Sequence, residues 1–287
     1  MGWQQIHIPA DRDKAETLQA LLENAGAEAV TLRDAGDEPV LEPDPGAMPL
    51  WRDLVITALF PDDRDPDTLV AELERDLGQA LPDTRIEPLA EQAWERSWMD
   101  DFQPLRFGER LWIVPSWCEA PDPGGVNLRL DPGLAFGTGT HETTALCLEW
   151  LDAHPPADQY VIDYGCGSGV LGIAALLLGA ERVEACDTDD QALVATRENA
   201  RGNEVAERLS CEAADALSEG ADLTLANILA GPLMELAPRL AALTRPGGRV
   251  LLSGILREQA DQVCHHYRPW FDLEPPAELG DWCLLTG

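Results

Sequence analysis

Residues 163–169 read Asp-Tyr-Gly-Cys-Gly-Ser-Gly: three alternating glycines behind one acid, between the apolar run Tyr160-Val161-Ile162 and a second from Val170 to Leu178. Glycines in a strand-to-helix turn let the chain bend sharply and let a ligand lie against the backbone, while the helix start offers unpaired N–H groups. The stretch also contains G-x-G-x-x-G, which alone is a weak mark of a dinucleotide site. Asp163 argues against that ligand, because a carboxylate repels phosphates and attracts an ammonium group. S-adenosylmethionine presents such an ammonium.

Other residues extend this chemistry. Asp187 closes the run Val183 to Cys186, roughly 20 residues beyond the loop, where Rossmann-like folds place the acid that accepts both ribose hydroxyls. Asp189 is then the expected cap of the next helix. Asp215, past a third strand, suits either an adenine amino group or a solvated loop. In Ala226-Asn227-Ile228-Leu229-Ala230, Asn227 ends a fourth strand. Its amide can accept a hydrogen bond from an amine and aim the amine's lone pair at a methyl group, or it can cap a helix, and spacing does not choose. Upstream, LDPGLAFGTGTHETT (130–144) looks like a phosphate loop but lacks the following G-K-[ST]. Its glycines and hydroxyls, just before a helix, suit closure over the methionine end of the cofactor. His141, a single histidine at a helix start, reads as structural.

The elements that must position these residues follow from apolar periodicity. In the first ninety residues, strand patterns at 3–8, 29–32, 54–60 and 84–89 alternate with helical patterns at 15–25 and 67–77, ended by Gly26 and Gly78. The order strand, helix, strand, strand, helix, strand predicts a ferredoxin-like α+β module, either a packing unit or a substrate-recognition domain. Residues 91–105 predict a connecting helix with Trp94 and Trp98 on one face. Residues 106–287 predict strands at 111–115 and 126–130 and then an α/β alternation. Its strands lie near 160–164, 182–187, 208–213, 222–226 and 248–253, with an edge hairpin from 271–275 and 281–286.

Composition narrows the class. The 287 residues suffice for two domains. No apolar run of about 18 residues or secretory leader is visible, so a cytoplasmic protein free of the membrane is expected. Seven scattered cysteines without C-x-x-C spacing read as reduced thiols, and the five histidines offer no metal motif. Acids outnumber bases 52 to 20, for a net charge of −32, with Lys14 the one lysine. The excess runs through both halves, which suits a solvated surface at high salt or a steering field. Either way it disfavours nucleic acid and favours a basic protein partner.

Together, LDPGLAFGTGTHETT, VIDYGCGSGVLGIAA, the acid in ACDTDD, and ANILAGPL resemble the PrmA family, bacterial methyltransferases of large-subunit ribosomal protein L11. The similarity includes WERSWMDDFQPLRFGERLWIVPSW and the terminal WCLLTG. The resemblance implies a Rossmann-like class I methyltransferase sheet and S-adenosylmethionine contacts at Thr144, Gly165, Asp187 and Asn227, with Gly167, Phe136 and Thr138 at or near the site. It implies that residues 1–90 recognise the substrate and that lysine side-chain and amino-terminal amines are methylated; the His and Cys spacing already leads one to expect no metal. The expected partner is ribosomal protein L11, free before assembly, met by a monomer. Glu142 occupies the variable place in H-x-T-T, and Thr188 and Asp190 flank Asp189 in a DTDD that departs from the family pattern; neither touches the four matching positions, and the substrate-contact residues of the acidic first domain stay unassigned. The rival readings are a methyltransferase of another basic protein or small amine, a nicotinamide-dependent oxidoreductase, and a non-catalytic module that only senses the cofactor.

Overall fold

A computed structural model describes residues 2–36, 50–81, 83–89, 102–131 and 141–287. The chain divides into two compact units, Met1–Ser97 and Trp98–Gly287. The first contains β1 (Trp3–Asp11), α1 (Arg12–Asn24), β2 (Ala29–Asp34), β3 (Asp53–Pro61), α2 (Pro66–Leu77) and β4 (Arg85–Leu89). Its antiparallel sheet has the order β2-β3-β1-β4, the split βαβ arrangement that the sequence pattern predicts. Alternate residues Ile6 and Ile8 of β1, and Ile56 and Phe60 of β3, are fully buried against Leu22 of α1 and Leu73 of α2. Local chemistry sets the ends of α2. Asp65 accepts the Thr68 N–H at 2.9 Å, Pro66 occupies the first turn, and Gly78 at φ +71° turns the chain out.

The connecting helix expected over 91–105, with Trp94 and Trp98, lies outside the described residues except for 102–105, which are not helical. Leu105 there opens β5 (Leu105–Phe107), which joins β6 (Leu111–Val114) and β7 (Val126–Arg129) in a three-stranded sheet. The main sheet holds β8 (Tyr160–Tyr164), β9 (Arg182–Cys186), β10 (Leu209–Cys211), β11 (Ala221–Asn227), β12 (Thr244–Leu256), β13 (Ala277–Leu279) and β14 (Trp282–Thr286). Their order is β10-β9-β8-β11-β12-β14-β13, parallel from β10 to β12, with β14 antiparallel to both its neighbours. The helices of this unit are α3 (Glu142–Ala153), α4 (Val170–Leu177), α5 (Asp190–Gly202), α6 (Ala230–Leu243) and α7 (Ala260–Tyr267).

Strand alternation sorts the apolar residues onto two faces. Val161, Leu225 and Leu251 pack with α3, α4 and the three-stranded sheet. Ile162, Val250 and Leu252 pack with α6 and α7. The chain leaves β8 toward one edge and returns to β11 on its other side, so a crevice between their carboxyl ends is built into the topology.

One predicted strand fails. Residues 271–275 form no ladder, and the edge hairpin starts instead at Ala277. Pro275 and Pro276 lack the N–H a ladder needs, and Phe271 and Leu273 are apolar because they pack on the α6–α7 layer. All seven cysteines are free thiols. No helix among the described residues is long and apolar enough to cross a membrane.

Asp152, at the end of α3, fastens the three-stranded sheet to this body. It is 5% exposed and accepts the N–H groups of Glu109 at 2.7 Å and Arg110 at 3.3 Å, while Arg110 Nη2 donates to the Asp152 carbonyl at 2.7 Å. Asp152→Ala removes the shared acceptor of two backbone N–H groups. We expect it to lower the unfolding free energy by about 2 kcal/mol, read as a lower urea midpoint at unchanged slope.

Candidate functional site

The glycine loop lies between β8 and α4. Gly165, Gly167 and Gly169 have φ of +77°, +55° and +78°, a region that L-residues with side chains rarely adopt. Space is short as well. A Cβ on Gly165 would collide with the Ile228 side chain, and one on Gly169 would come within 2.8 Å of Thr196 Cγ2. The loop backbone is held from β9, whose Cys186 carbonyl accepts the N–H groups of Gly165 at 2.8 Å and Cys166 at 3.0 Å.

Asp163 departs from its expected role. It is 2% exposed, and its Oδ2 accepts the Gly172 N–H at 2.8 Å, tying the end of β8 to the first turn of α4. Burial, reinforced by the nearby Asp187 and opposed by the Gly172 bond, pushes its carboxyl up to about 7. A carboxylate so enclosed braces the loop and does not present itself to a ligand's ammonium.

Asp187 stands half-buried just past β9. Its Oδ2 accepts the Gly167 N–H at 2.9 Å and its Oδ1 accepts the Asp189 N–H at 3.0 Å. Each oxygen keeps a further lone pair, so the pair of oxygens can still accept two hydroxyls. Capping of α5 falls to Asp189, which accepts the Gln191 N–H at 2.9 Å, as expected.

Across the switch point, Asn227 ends β11, and its Nδ2 donates to Thr144 Oγ1 at 3.3 Å, over a separation of 83 residues. The bond leaves the Asn227 amide oxygen as an acceptor. Thr144 is 2% exposed in the first turn of α3. That helix is capped by His141, whose Nδ1 accepts the Thr143 N–H at 3.3 Å and whose ring meets Trp282 edge-on at 4.9 Å, so His141 is structural. Gly254, at φ +81°, leaves no room for a Cβ beside the Ile228 backbone, which locks the segment after Asn227 in place. The next side chain, Leu229, is 52% exposed at this rim. Asp215 is an exposed loop acid. Phe136 and Thr138 lie outside the described residues.

Two residues that hold the loop escape a motif search. Thr196 Oγ1 donates to the Gly167 carbonyl at 3.0 Å, and Asn199 Nδ2 donates to the Ser168 carbonyl at 2.8 Å. The available signal was small polar residues in a helix whose neighbouring Ala192 and Ala200 are apolar and buried.

The arrangement suits S-adenosylmethionine. It combines a side-chain-free backbone cradle, a carboxylate able to take two hydroxyls, and an amide acceptor at the strand edge. Among the described residues, no three His, Cys, Asp or Glu side chains gather as metal ligands. The family model described as ribosomal protein L11 methyltransferase (PrmA) matches residues 2–287. The chain belongs to this family. A ribosomal protein L11 methyltransferase of Marinobacter nauticus is 55% identical over 294 residues, covering 100% of this chain and 98% of that protein. The one from Pseudomonas paraeruginosa is 54% identical over 289 residues with the same coverage. The crystal structure of a ribosomal protein L11 methylase from Lactobacillus delbrueckii subsp. bulgaricus superposes with a TM-score of 0.60 at 32% identity, over 64% of this chain and 97% of that one. The PrmA match runs through both units, and the main sheet is that of a class I methyltransferase.

Asp163 yields a pH test. A carboxyl near 3.9 in the unfolded chain and about 7 in the fold contributes stability that is complete below about 4 and is lost as pH rises through 7. Urea unfolding of Asp163→Asn should therefore decline less steeply than wild type between pH 5 and 8. Parallel curves would mean that the buried carboxyl is already ionised.

Proposed function

We propose that this chain transfers methyl groups from S-adenosylmethionine to lysine side-chain and amino-terminal amines of ribosomal protein L11. The observation that carries the proposal is the Asn227–Thr144 hydrogen bond at 3.3 Å. It joins two separate family motifs at the carboxyl edge of the sheet, next to the glycine loop that Asp187 braces. Bound S-adenosylmethionine supplies an electrophilic methyl group on a sulfonium. Gly165 and Gly167 would give it backbone to lie on, Asp187 would accept its ribose hydroxyls, and Thr144 and Asn227 would add contacts, with Phe136 as the further contact that the family resemblance implies.

Methyl transfer to nitrogen is an in-line displacement that needs a neutral amine, and a lysine in water, with a pKa of about 10.4, is mostly protonated at neutral pH. Removing that amine from water lowers its pKa. The exposed Leu229 offers apolar surface for the lysine stem, and the Asn227 amide oxygen accepts one amine N–H, which turns the nitrogen lone pair toward the methyl. No strong general base is required, and His141 is committed to capping α3. Water takes the released proton.

The net charge of −32 supports a basic protein substrate without direct nucleic-acid contact, and with it the reading that L11 is met as the free protein before assembly; the enzyme is proposed to act as a monomer in the cytoplasm. Residues 1–90 act as the substrate-recognition domain, residues 91–105 as the connection, and 106–287 as the methyltransferase domain.

Incubation of ribosomal protein L11 with the enzyme and cofactor, followed by mass spectrometry, should reveal 14-dalton steps on lysine and amino-terminal amines, 14 being about the mass of one CH₂ added per methylation. Unmodified L11, with label appearing on another basic protein or a small amine, would reassign the substrate. Asn227→Ala should lower kcat about a hundredfold with the fold kept, as expected for lost positioning of the reacting nitrogen, and wild-type turnover would remove it from the mechanism. Asp187→Ala should weaken S-adenosylhomocysteine binding about tenfold or more by calorimetry.

A further inference from the structure

One face of α5, with its C-cap, carries three polar side chains, each of which bonds backbone outside the helix. Thr196, Asn199 and Asn203 are spaced i, i+3 and i+7 and so point the same way. Thr196, 0% exposed, donates to the Gly167 carbonyl at 3.0 Å and lies 3.3 Å from Cys166 Sγ. Asn199 donates to the Ser168 carbonyl at 2.8 Å. Asn203, 9% exposed, is placed one turn further on. Its Oδ1 accepts the Arg129 N–H at 2.7 Å, and its Nδ2 donates to the Arg129 carbonyl at 2.7 Å and to the Asn199 carbonyl at 2.8 Å. The Asn203 amide thus pairs with the last residue of β7 as a neighbouring strand would. Arg129 in turn donates from Nη1 to the carbonyls of Cys118 at 2.6 Å and Pro115 at 3.2 Å.

Glycine backbone has the most freedom to lose, so a loop built on Gly165, Gly167 and Gly169 keeps one shape only if its peptide planes are held from outside. A peptide plane is rigid, so fixing its carbonyl also fixes the direction of the next N–H. Thr196 and Asn199 fix two successive planes, those beginning at Gly167 and Ser168. Gly167 is held on both sides, its N–H by Asp187 and its carbonyl by Thr196. Asp187 and the three side chains all belong to residues 187–203, so a single stretch of chain supplies the expected ribose acceptor and the supports of the loop beside it.

We infer that Thr196 and Asn199 are positioning residues of the methyl-donor site, which keep the glycine loop in its ligand-accepting shape. Asn203 couples the same helix to β7, so that loop, helix and strand form one body. The inference rests on the proposed use of the loop for S-adenosylmethionine, and these residues act through the loop without touching the cofactor.

Thr196→Val removes the hydroxyl at nearly constant shape, Thr196→Ser keeps it, and Asn199→Ala and Asn203→Ala remove the amides. Each full-length variant would be titrated with S-adenosylhomocysteine by calorimetry, assayed for KM and kcat, and melted without ligand. Thr196→Val and Asn199→Ala should each weaken binding about tenfold, the effect of about one well-made hydrogen bond, and raise the KM for S-adenosylmethionine while kcat at saturation changes little. Thr196→Ser should restore wild-type affinity. Asn203→Ala should cost about threefold, because its bonds reach the loop only through Asn199 and α5. Should Thr196→Val fail to fold, the partly exposed Asn199→Ala decides. Wild-type affinity in variants that melt earlier would overturn the inference, leaving these side chains as ordinary packing. A wild-type chain that binds no S-adenosylhomocysteine would overturn the methyl-donor reading itself, and the inference with it.

Discussion

The hydrogen bond from the Gly167 N–H to Asp187 Oδ2, 2.9 Å long, joins the turn after β8 to the end of β9. The rest of the site depends on it, because it lies in a turn where three alternating glycines have positive φ. A loop of this kind has little intrinsic preference for one shape, so its neighbours must impose one. Cys186 does so through its carbonyl, Asp163 through the Gly172 N–H, and α5 through Thr196 and Asn199. Crowding completes the restraint. Ile228 lies over Gly165 and Thr196 over Gly169, so side chains are excluded where a ligand would approach the backbone.

Topology supplies the second half of the site. With β8 and β11 adjacent and parallel at the switch point, the end of β11 comes level with the glycine loop, and Asn227 reaches Thr144 at the start of α3. Ser253, fully buried in β12, reinforces this corner by donating its hydroxyl proton to either the Thr143 or the Cys283 carbonyl, each 3.2 Å away. The start of α3 is thereby set against β12 and β14. Ser253 is fully buried and Thr144 nearly so, so the edge can be preorganised before a ligand arrives.

Much of the architecture was legible from pattern. The strand and helix order of the first unit and the α/β alternation from α3 to β12 follow from period-two and period-3.6 runs, and the end of α2 and the start of α5 follow from Gly78 and Asp189. Where pattern misled, tertiary packing was the cause. Phe271 and Leu273 alternate with polar residues as a strand does, yet they are apolar because they cover α6 and α7, and Pro275 with Pro276 excludes a ladder. Asp163 reads as a ligand-facing acid because a carboxylate at the strand end attracts an ammonium group. Its side chain points instead beneath α4.

The sequence by itself determined the class of chemistry and the family. Glycine spacing, the strand-end acid at 187 and the N-I-L-A block are local, and each carries its meaning in residue type and offset. Only the tertiary structure decided which polar residue serves which purpose. Asp163 and Asp187 stand at the ends of neighbouring strands with the same side chain, and both brace the loop, but one is enclosed beneath a helix and the other half-open beside the loop, so burial leaves only Asp187 accessible to a ligand. Thr196, Asn199 and Asn203 belong to no motif. Their role depends on which backbone their helix is laid against, and that is settled by long-range packing beyond the reach of any local pattern.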